Sequence, residues 1–269
     1  MTEIISSSQN SRVKYLNKLY RSRTRRKEGV FVLEGKRLVE AALAGGADFL
    51  EVFLTPAFFK AAGNEDLLSD LKKSSELILV EKDLLEKTAS TVNPQGIIAV
   101  VNEAVFKGGD FFSAADKILL LDRIQDPGNM GTMIRTAAAA DFDGIIALKG
   151  SVDIYNQKVI RATMGAVFSI PIWQKLSKKD FLKELNNNAL NHELIAADLD
   201  AEKYYFEHEY SSKLILMIGN EANGLDGELM QKADSKIKIP LSEKIESLNA
   251  AQAAAVIAFE ISAQEIKST

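Results

Sequence analysis

The 269-residue chain is 46% hydrophobic and 26% charged, a composition that indicates a folded protein and excludes a disordered, collagen-like or low-complexity chain. No apolar run approaches the roughly 18 residues needed to span a membrane, and the N-terminus lacks the basic-then-apolar order of a signal peptide. We therefore expect a cytoplasmic protein.

The chain contains no cysteine, which excludes disulfides, thiolate nucleophiles, cysteine-ligated zinc and iron–sulfur clusters. Its two histidines, His192 and His208, lie in polar stretches without a partner at metal-ligand spacing. We expect both on the solvated surface and no metal site. Any catalysis then relies on Arg, Glu, Asn, Ser or backbone groups.

The net charge of −4 conceals an uneven distribution. Residues 1–40 carry ten basic and four acidic side chains, a net charge of +6, so the rest of the chain carries −10. Five of the seven residues in 21–27 are basic. A run this dense repels itself unless solvent or a polyanion screens it. It is either a solvated helix end or a phosphate-binding segment, and the charges alone leave both open.

Alternating apolar patterns predict a small α/β domain over residues 1–104, followed by a linker over 105–115. Val13, Leu16 and Leu19 recur at helical spacing, which indicates an amphipathic helix over about 10–20, followed by a basic loop. The patterns then predict, in order, strand 30–33, helix 36–44, strand 49–54, a helix around 67–71, strand 77–80 and strand 97–101.

A second alternating series over residues 116–269 predicts another α/β domain. The continuous apolar run 118–121 is typical of a strand buried on both faces, as in a parallel sheet. The remaining predicted elements are helix 129–141, strand 144–148, strand 194–197, strand 214–218 and an alanine-rich helix over 247–261.

Three strand-to-helix junctions of the second domain are rich in Gly and Asn, and α/β sheets bind ligands at such junctions. They are Asp126–Arg135, Ile218–Leu225 and Ile239–Asn249. Asn129 lies near the start of a predicted helix, with Arg135 about one and a half turns further on. Glu221 is a carboxylate directly after a buried strand, and Ser247 is able to cap the last helix. Turn geometry and capping explain each loop singly, but the three together indicate a functional site.

These loops resemble the motifs of the SpoU/TrmH family of the SPOUT superfamily, which are S-adenosylmethionine-dependent RNA 2′-O-ribose methyltransferases. The first two motifs are matched by Asn129, Gly131 and Arg135 and by Gly219, Glu221 and Gly224. The third is matched by Ile239, Pro240, Ser247, Leu248 and Asn249. Glu243 departs from the pattern, because the third motif usually has glycine there. The resemblance covers nearly the whole chain.

The N-terminal half is similar to the substrate-binding domain of that family, a ribosomal-protein-like α/β module, through residues 8–14, 31–35 and 95–100. This similarity implies that the basic segment contacts RNA. The residues expected to bind RNA are Arg12, Lys14, Arg21, Arg23, Arg25, Arg26 and Lys27.

The resemblance also implies that the second domain is a SPOUT domain, whose parallel sheet is combined with a deep trefoil knot, a topology that general rules rank as very rare. It implies a site for S-adenosylmethionine formed by main-chain groups around Gly219, Ile239 and Leu248. Family members are homodimers joined through this domain, and we expect the same here. The chain has no Gly-x-Gly pattern, which counts against a Rossmann-type methyltransferase.

Methyl transfer from a sulfonium to a ribose hydroxyl depends on positioning and on charge stabilisation at the attacking oxygen. The residues that the resemblance assigns to catalysis are Arg135, Asn129, Glu221, Ser247 and Asn249. Our hypothesis places Arg135 at the ribose 2′-hydroxyl, as a base or an electrostatic anchor, with Asn129 and Glu221 holding its guanidinium.

By analogy of architecture, the expected substrate is ribosomal RNA of the 23S type. Three alternatives stay open. One is a non-catalytic RNA-binding or ribosome-assembly factor of the same fold, for which Glu243 is the argument. The second is a transfer-RNA 2′-O-methyltransferase, and the third is methylation of a base rather than a ribose.

Overall fold

The computed structural model describes residues 4–106, 108–189 and 191–268, which form two α/β units. One unit comprises the chain up to Ala104 together with Tyr155–Phe168, and the other comprises Val105–Ile154 together with the chain from Ser169 onward. The predicted domains did not assign Tyr155–Phe168 to the first unit. This segment joins it because Tyr155 stacks on Phe31, with ring centroids 4.1 Å apart, and the amide of Gln157 donates to a main-chain carbonyl of the same unit.

The first unit contains a mixed five-stranded sheet. Its strands are β1 (Ile4–Ile5), β2 (Val30–Glu34), β3 (Phe49–Leu54), β4 (Glu76–Val80) and β5 (Ile97–Asn102). Their order is β1-β4-β3-β5-β2, in which β1, β4 and β3 are parallel and β5 is antiparallel to both of its neighbours.

The second unit contains a seven-stranded sheet in which every neighbouring pair is parallel. Its strands are β6 (Lys117–Leu121), β7 (Gly144–Leu148), β8 (Ile172–Leu176), β9 (Glu193–Ala197), β10 (Lys203–Tyr204), β11 (Leu214–Ile218) and β12 (Ser235–Lys238). Their order is β10-β12-β9-β11-β6-β7-β8. The predicted α/β fold with a parallel sheet is confirmed, and the structure adds β8, β10 and β12.

Helices connect these strands. In chain order they are α1 (Ser11–Leu19), α2 (Ser22–Glu28), α3 (Lys36–Ala44), α4 (Pro56–Lys60), α5 (Glu65–Ser74), α6 (Lys82–Thr88), α7 (Gly108–Ala114), α8 (Pro127–Ala139), α9 (Gln157–Thr163), α10 (Lys178–Asn188), α11 (Gly227–Lys232) and α12 (Ala250–Ser268). Among the described residues, no helix is both long enough and apolar enough to cross a membrane.

Two short segments differ from the prediction. The basic stretch expected to be a loop is helix α2, which ends at Gly29 in the left-handed conformation (φ 67°) that favours glycine. The expected linker contains helix α7, whose Phe111 and Phe112 are buried in the core of the second unit. Both segments are therefore ordered parts of the units to which they belong.

Both histidines are buried, contrary to the expectation that they are solvated. The Nε2 atom of His192 lies 2.9 Å from the main-chain oxygen of Ala115, and its ring contacts Phe112 edge-on. The Nε2 atom of His208 lies 2.9 Å from a carboxylate oxygen of Glu193. Specific partners explain their burial, and these are distant in sequence. Within the described ranges, no group of three or more His, Cys, Asp and Glu residues is placed to hold a metal ion.

Candidate active site

The predicted motif loops meet at the carboxyl ends of β6, β11 and β12. Strands β6 and β11 are neighbours in parallel register, with Leu121 opposite Ile218, so the loops that follow them emerge side by side. Residues 239–249, which follow β12, return to the same edge, where Asn249 bonds to Asn129. Parallel sheet topology thus brings together three segments that are far apart in sequence.

Three of the predicted catalytic side chains form one hydrogen-bonded chain. The Nδ2 group of Asn129 donates to a carboxylate oxygen of Glu221 over 2.8 Å, and its Oδ1 accepts from the Nδ2 of Asn249 over 2.9 Å. Asn249 in turn uses its Oδ1 to accept from the backbone N–H groups of Ala251 and Gln252 at the start of α12. Each motif therefore contributes one member to a connected network, and helix α12 fixes its end.

A second set of contacts, which the sequence analysis missed, joins the loop after β6 to the loop after β11. The Nδ2 of Asn220 donates to the carbonyl of Arg123 over 2.9 Å, and the buried Asp122 accepts from the backbone N–H of Asp226 over 2.9 Å. Arg123 adopts a left-handed backbone (φ 55°), and its guanidinium pairs with Asp122 at 2.8 Å. The hydrogen bond to Asp122 raises the pKa of Arg123. The one sequence signal for these contacts was Asp122, an acidic residue directly after the continuous apolar strand β6.

A pocket of about 330 Å³ opens beside this network, within the size range of roughly 300–1,000 Å³ that is typical of small-molecule sites. Gly219, Ile239 and Leu248, the three predicted cofactor residues, all line it, as do Glu221 and Ser247. Much of the lining is apolar, from Ile218, Ile237, Leu241 and Ile257. Its charged lining residues are Asp198, Glu221, Lys238 and Glu246. The pocket thus combines an apolar wall with a net negative charge.

Gly219 has a steric requirement at this pocket. A Cβ atom at this position would lie 2.1 Å from the backbone nitrogen of Leu225 and 2.2 Å from the carbonyl carbon of Gly224. Backbone atoms this close cannot be avoided by rotating a side chain. The absence of a side chain at Gly219 therefore lets the loop after β11 fold back on itself.

Arg135 does not join the network of Asn129, Glu221 and Asn249. It is exposed on α8, and no hydrogen bond or ion pair of its side chain is found in the part of the chain that the structure describes. Six residues on a helix correspond to about 9 Å of rise and a rotation of about 120° away from the starting face. In this structure Asn129 and Glu221 bond to each other and not to Arg135, so the expectation that they hold its guanidinium stays a prediction.

The third motif loop also differs in detail from the expectation. Helix α12 begins at Ala250, and Asn249 rather than Ser247 accepts the backbone N–H groups of its first turn. Ser247 is exposed and lines the pocket instead. Glu243 is also exposed and is absent from the pocket lining, so the departure from the family pattern does not crowd the pocket.

The basic residues predicted to bind RNA fall into two groups. Arg25 is buried, and its guanidinium donates to the carbonyls of Leu19 and Tyr20 at the end of α1, over 3.2 and 2.9 Å. Arg12 pairs with Glu76 at 2.8 Å and Glu51 at 3.4 Å. Arg25 is thus a structural residue rather than the expected RNA contact, and the charge of Arg12 is largely neutralised.

The other predicted RNA-binding residues are exposed on α1, on α2 and at the junction between these helices: Lys14, Arg21, Arg23, Arg26 and Lys27. Lys27 has a weak ion pair with Glu28 at 3.9 Å. For the other four, no partner is found within residues 4–106, 108–189 and 191–268. We call these five residues the basic face. Their charges are available to an external anion.

Comparison with known proteins identifies both halves of the chain. Residues 116–259 match the model of the SpoU rRNA Methylase family, and residues 10–99 match that of the MRM3-like substrate binding domain. The 23S rRNA (guanosine(2553)-2′-O)-methyltransferase RlmP of Bacillus subtilis is 32% identical over 257 residues, which cover 96% of this chain and 98% of RlmP.

Two solved structures are similar over nearly the whole chain. The AdoMet-bound rRNA methyltransferase from Sinorhizobium meliloti has a TM-score of 0.86 at 28% identity and covers 97% of both chains. The SpoU methyltransferase AviRb from Streptomyces viridochromogenes, in complex with AdoMet, has a TM-score of 0.86 at 26% identity, covering 96% of this chain and 99% of its own. The chain belongs to the SpoU rRNA Methylase family.

Proposed function

We propose that this protein transfers the methyl group of S-adenosylmethionine to a ribose 2′-hydroxyl in ribosomal RNA of the 23S type. One observation carries the proposal: the hydrogen-bonded chain of Asn129, Glu221 and Asn249 borders a pocket of cofactor size. Family membership supports it, as does the named activity of RlmP. The first unit then binds the RNA substrate and the second unit carries the chemistry. A cytoplasmic location is part of this proposal.

The residues of the pocket fit S-adenosylmethionine. Its apolar wall suits the adenine ring, and its excess of carboxylates suits a ligand whose sulfonium and ammonium groups give it a net positive charge. When bound, this cofactor supplies a methyl group on a sulfonium, which is a good electrophile. Gly219, Ile239 and Leu248 hold it through main-chain and apolar contacts, and Glu221 and Glu246 provide the negative field.

The catalytic residues act by positioning and by electrostatics. We assign Arg135, which is exposed on α8, to stabilising the developing charge on the ribose oxygen or an adjacent phosphate. Asn129, Glu221 and Asn249 keep the motif loops in register beside the pocket. Ser247, exposed on the pocket wall, orients the cofactor or the phosphate of the substrate.

The test is transfer of labelled methyl from S-adenosylmethionine to total RNA that lacks the modification, fractionated by size and digested to nucleosides. We expect a 2′-O-methylnucleoside in the large ribosomal RNA, and an initial rate about 10²-fold to 10³-fold lower for Arg135→Ala. Label in transfer RNA would establish a transfer-RNA methyltransferase, and label on a base would establish base methylation. Absence of both transfer and cofactor binding by calorimetry would establish the non-catalytic factor.

We also propose that two copies assemble through the second unit. Helix α12 leaves Val256, Phe259 and Ile266 exposed at helical spacing, and Arg135 lies apart from the network of its own chain. A second copy would cover the exposed apolar side chains of α12, and its Arg135 would reach the network of Asn129, Glu221 and Asn249. Sedimentation should give a dimer for the wild type and for Gln231→Glu, an exposed position on α11, and a monomer with lost activity for Phe259→Glu. A monomeric, active wild type would contradict the dimer.

The deep trefoil knot belongs to the same proposal. Its support is the path of the chain. From β11 the chain passes over β9 to form β12, and residues 239–249 then return to Asn129 on the β11 side of the sheet. A crystal structure of the protein, traced through residues 218–268, tests this threading directly.

For the basic face, we propose contact with RNA phosphates. The triple reversal Arg23→Glu, Arg26→Glu and Lys27→Glu should weaken RNA binding. The slope of the logarithm of the binding constant against the logarithm of salt concentration should flatten by about 0.7 to 0.9 per lost phosphate contact. Cofactor affinity should not change. An unchanged salt dependence would show that the basic face is only solvated surface.

A further inference from the structure

The first unit contains a polar cleft that none of the motif loops explains. It has a volume of about 170 Å³, below the size of ordinary small-molecule pockets. The cleft, which we call the Glu34 cleft, is lined by Glu34, Gly35, Arg37, Leu38, Thr91, Asn93 and Gln95. It lies where the end of β2 meets the 90–96 loop, within the residues that match a substrate binding domain. Its size suits a single flat ring rather than a whole cofactor.

The floor of the cleft is a fixed negative charge. Glu34 is buried, and its carboxylate accepts from the backbone N–H and hydroxyl of Ser90, over 2.8 and 2.6 Å, and from the N–H of Thr91 over 3.0 Å. Burial alone would raise the pKa of Glu34, but the hydrogen bonds from Ser90 and Thr91 outweigh it and lower the pKa. An ionised floor repels a phosphate and favours a ligand group that donates hydrogen bonds.

The walls of the cleft are amide side chains with spare donors. The Oε1 of Gln95 accepts from the backbone N–H of Lys36 over 2.8 Å, which fixes the orientation of the amide at the start of α3. Within the described ranges, the Nε2 of Gln95 and the side chain of Asn93 take part in no hydrogen bond. These two amides offer donors and acceptors of the kind that match the edge of a nucleobase.

The rim of the cleft supplies the other two contacts that a nucleotide needs. Val92, which lies between the lining residues Thr91 and Asn93 in the chain, is 94% exposed, so an apolar side chain beside them is free to contact a ligand. Arg37 is exposed in the first turn of α3, and no partner of its guanidinium is found in the described part of the chain. An apolar contact for a base face and a cation for the neighbouring phosphate are thus adjacent to the polar cleft.

We propose that the Glu34 cleft holds one unpaired base of the RNA substrate, with Gln95 and Asn93 reading its edge above the charged floor, Val92 covering its face and Arg37 binding the adjoining phosphate. This inference rests on the proposed function, because it assumes an RNA substrate. Unpaired bases are the part of RNA that proteins read through such contacts. The cleft thereby gives the first unit a means of sequence selection that the basic face, which binds phosphates, lacks.

The test uses the full-length protein without cofactor and a fluorescein-labelled RNA heptamer in which only the central ribose carries a base. The four bases and a fully abasic heptamer are compared by anisotropy at fixed salt. We expect the preferred base to improve affinity about fivefold to tenfold over the abasic heptamer, the size of one or two net hydrogen bonds. Equal affinity for all five heptamers would overturn the inference.

Two variants assign this base dependence to the cleft. Gln95→Glu keeps the oxygen that accepts from Lys36 and removes the amide donor, so the protein should stay folded while the ratio of base-containing to abasic affinity falls towards one. Val92→Glu should also reduce this ratio. Val105→Glu, at a valine that is 89% exposed and distant in sequence from the cleft, introduces the same charge and should leave it unchanged.

A ratio that persists in both Gln95→Glu and Val92→Glu would place base recognition elsewhere and overturn the inference. Methyl transfer to total RNA by the wild type, measured on the same preparation, tests the proposed function separately. Transfer without base dependence at the cleft contradicts the inference alone, whereas absence of transfer contradicts the proposed function.

Discussion

The motif residues of the second unit and the basic face of the first unit are held in opposite ways. In the second unit, Asn129, Glu221 and Asn249 form a chain of hydrogen bonds with one another. In the first unit, the residues of the basic face point to solvent, and four of the five have no partner among the described residues. Chemistry at one atom requires geometry fixed in advance, whereas attraction to phosphate acts over roughly 8–10 Å and tolerates mobile side chains. The comparison teaches that a polar cluster is held by internal hydrogen bonds where it serves chemistry, and is left exposed where it serves attraction to phosphate.

The same contrast holds among the basic residues themselves. Arg25 and Arg12 are indistinguishable by charge from their neighbours, yet the protein engages both with its own carbonyls or carboxylates. Arg25 holds the end of α1 and so fixes where α2 begins. The charge of Arg25 therefore serves to position the basic face rather than to enlarge it.

Gly219→Ala should affect both cofactor binding and stability, because it changes the backbone of the loop that lines the pocket. The new Cβ would overlap backbone atoms of Leu225 and Gly224, so the loop that lines the pocket must move. We expect cofactor affinity to fall more than tenfold by calorimetry, with a loss of stability of about 1–3 kcal/mol or more.

Gly227 is the matched control for this substitution. A Cβ at Gly227 meets nothing within 4 Å, and this residue begins α11. Gly227→Ala should therefore bind the cofactor normally and be slightly more stable. Normal binding by Gly219→Ala would show that the loop is not preorganised in the way described.

Asn129→Ala removes the central member of the network without adding atoms. It frees Glu221 and Asn249 from each other, and misplacing catalytic groups by about 1 Å reduces rates about 10²-fold. We expect kcat to fall by about that factor, with the cofactor Kd changed much less. Thr132→Ala, an exposed position one turn further along α8, should retain wild-type kcat. Equal kcat for the two variants would contradict preorganisation by the network.

Glu34→Gln tests a buried carboxylate of the first unit that is held in place by hydrogen bonds. Because hydrogen bonds lower the pKa of the folded Glu34, its carboxylate stabilises the protein above the unfolded pKa, near 4.3, and this contribution is lost as the pH falls through the lower folded value. The variant should be about 1–3 kcal/mol less stable at pH 7. The difference, measured by urea unfolding, should shrink below about pH 4.

The control for that experiment is Glu86→Gln, an exposed glutamate on α6 of the same unit. It should stay within about 0.5 kcal/mol of the wild type at pH 7. A Glu34→Gln difference that is constant from pH 7 to pH 3 would mean that the stabilisation does not depend on ionisation of the carboxylate.

The sequence predicted the elements whose patterns are local. Strands buried on both faces, such as β6 and β11, appear as continuous apolar runs, and the motif loops follow them directly. Strand β12 was missed because Ile237 is its one buried residue, and α2 was missed because basic residues have no apolar face. Neither pattern contains the periodicity that identifies an element.

Within the site, the sequence predicted which residues take part, but not which of them bond to each other. The hydrogen bond between Asn129 and Asn249 joins residues 120 positions apart, and no local pattern specifies it. The burial of His208 likewise depends on Glu193, which lies on β9. Local patterns therefore identify candidate residues, while the three-dimensional arrangement decides which of them touch.

The smallest expected effects separate Arg12 from Lys14, two basic residues that lie two positions apart on α1. Arg12 is paired with Glu76 and Glu51, so Arg12→Gln should reduce stability by no more than about 1 kcal/mol and leave the salt dependence of RNA binding unchanged. Lys14 is exposed, so Lys14→Gln should leave stability unchanged and reduce that salt dependence by about 0.7 to 0.9. If Arg12→Gln flattened the salt dependence as much as Lys14→Gln, the ion pairs of Arg12 would open to bind RNA, and a partner within the protein would no longer mark a residue as structural.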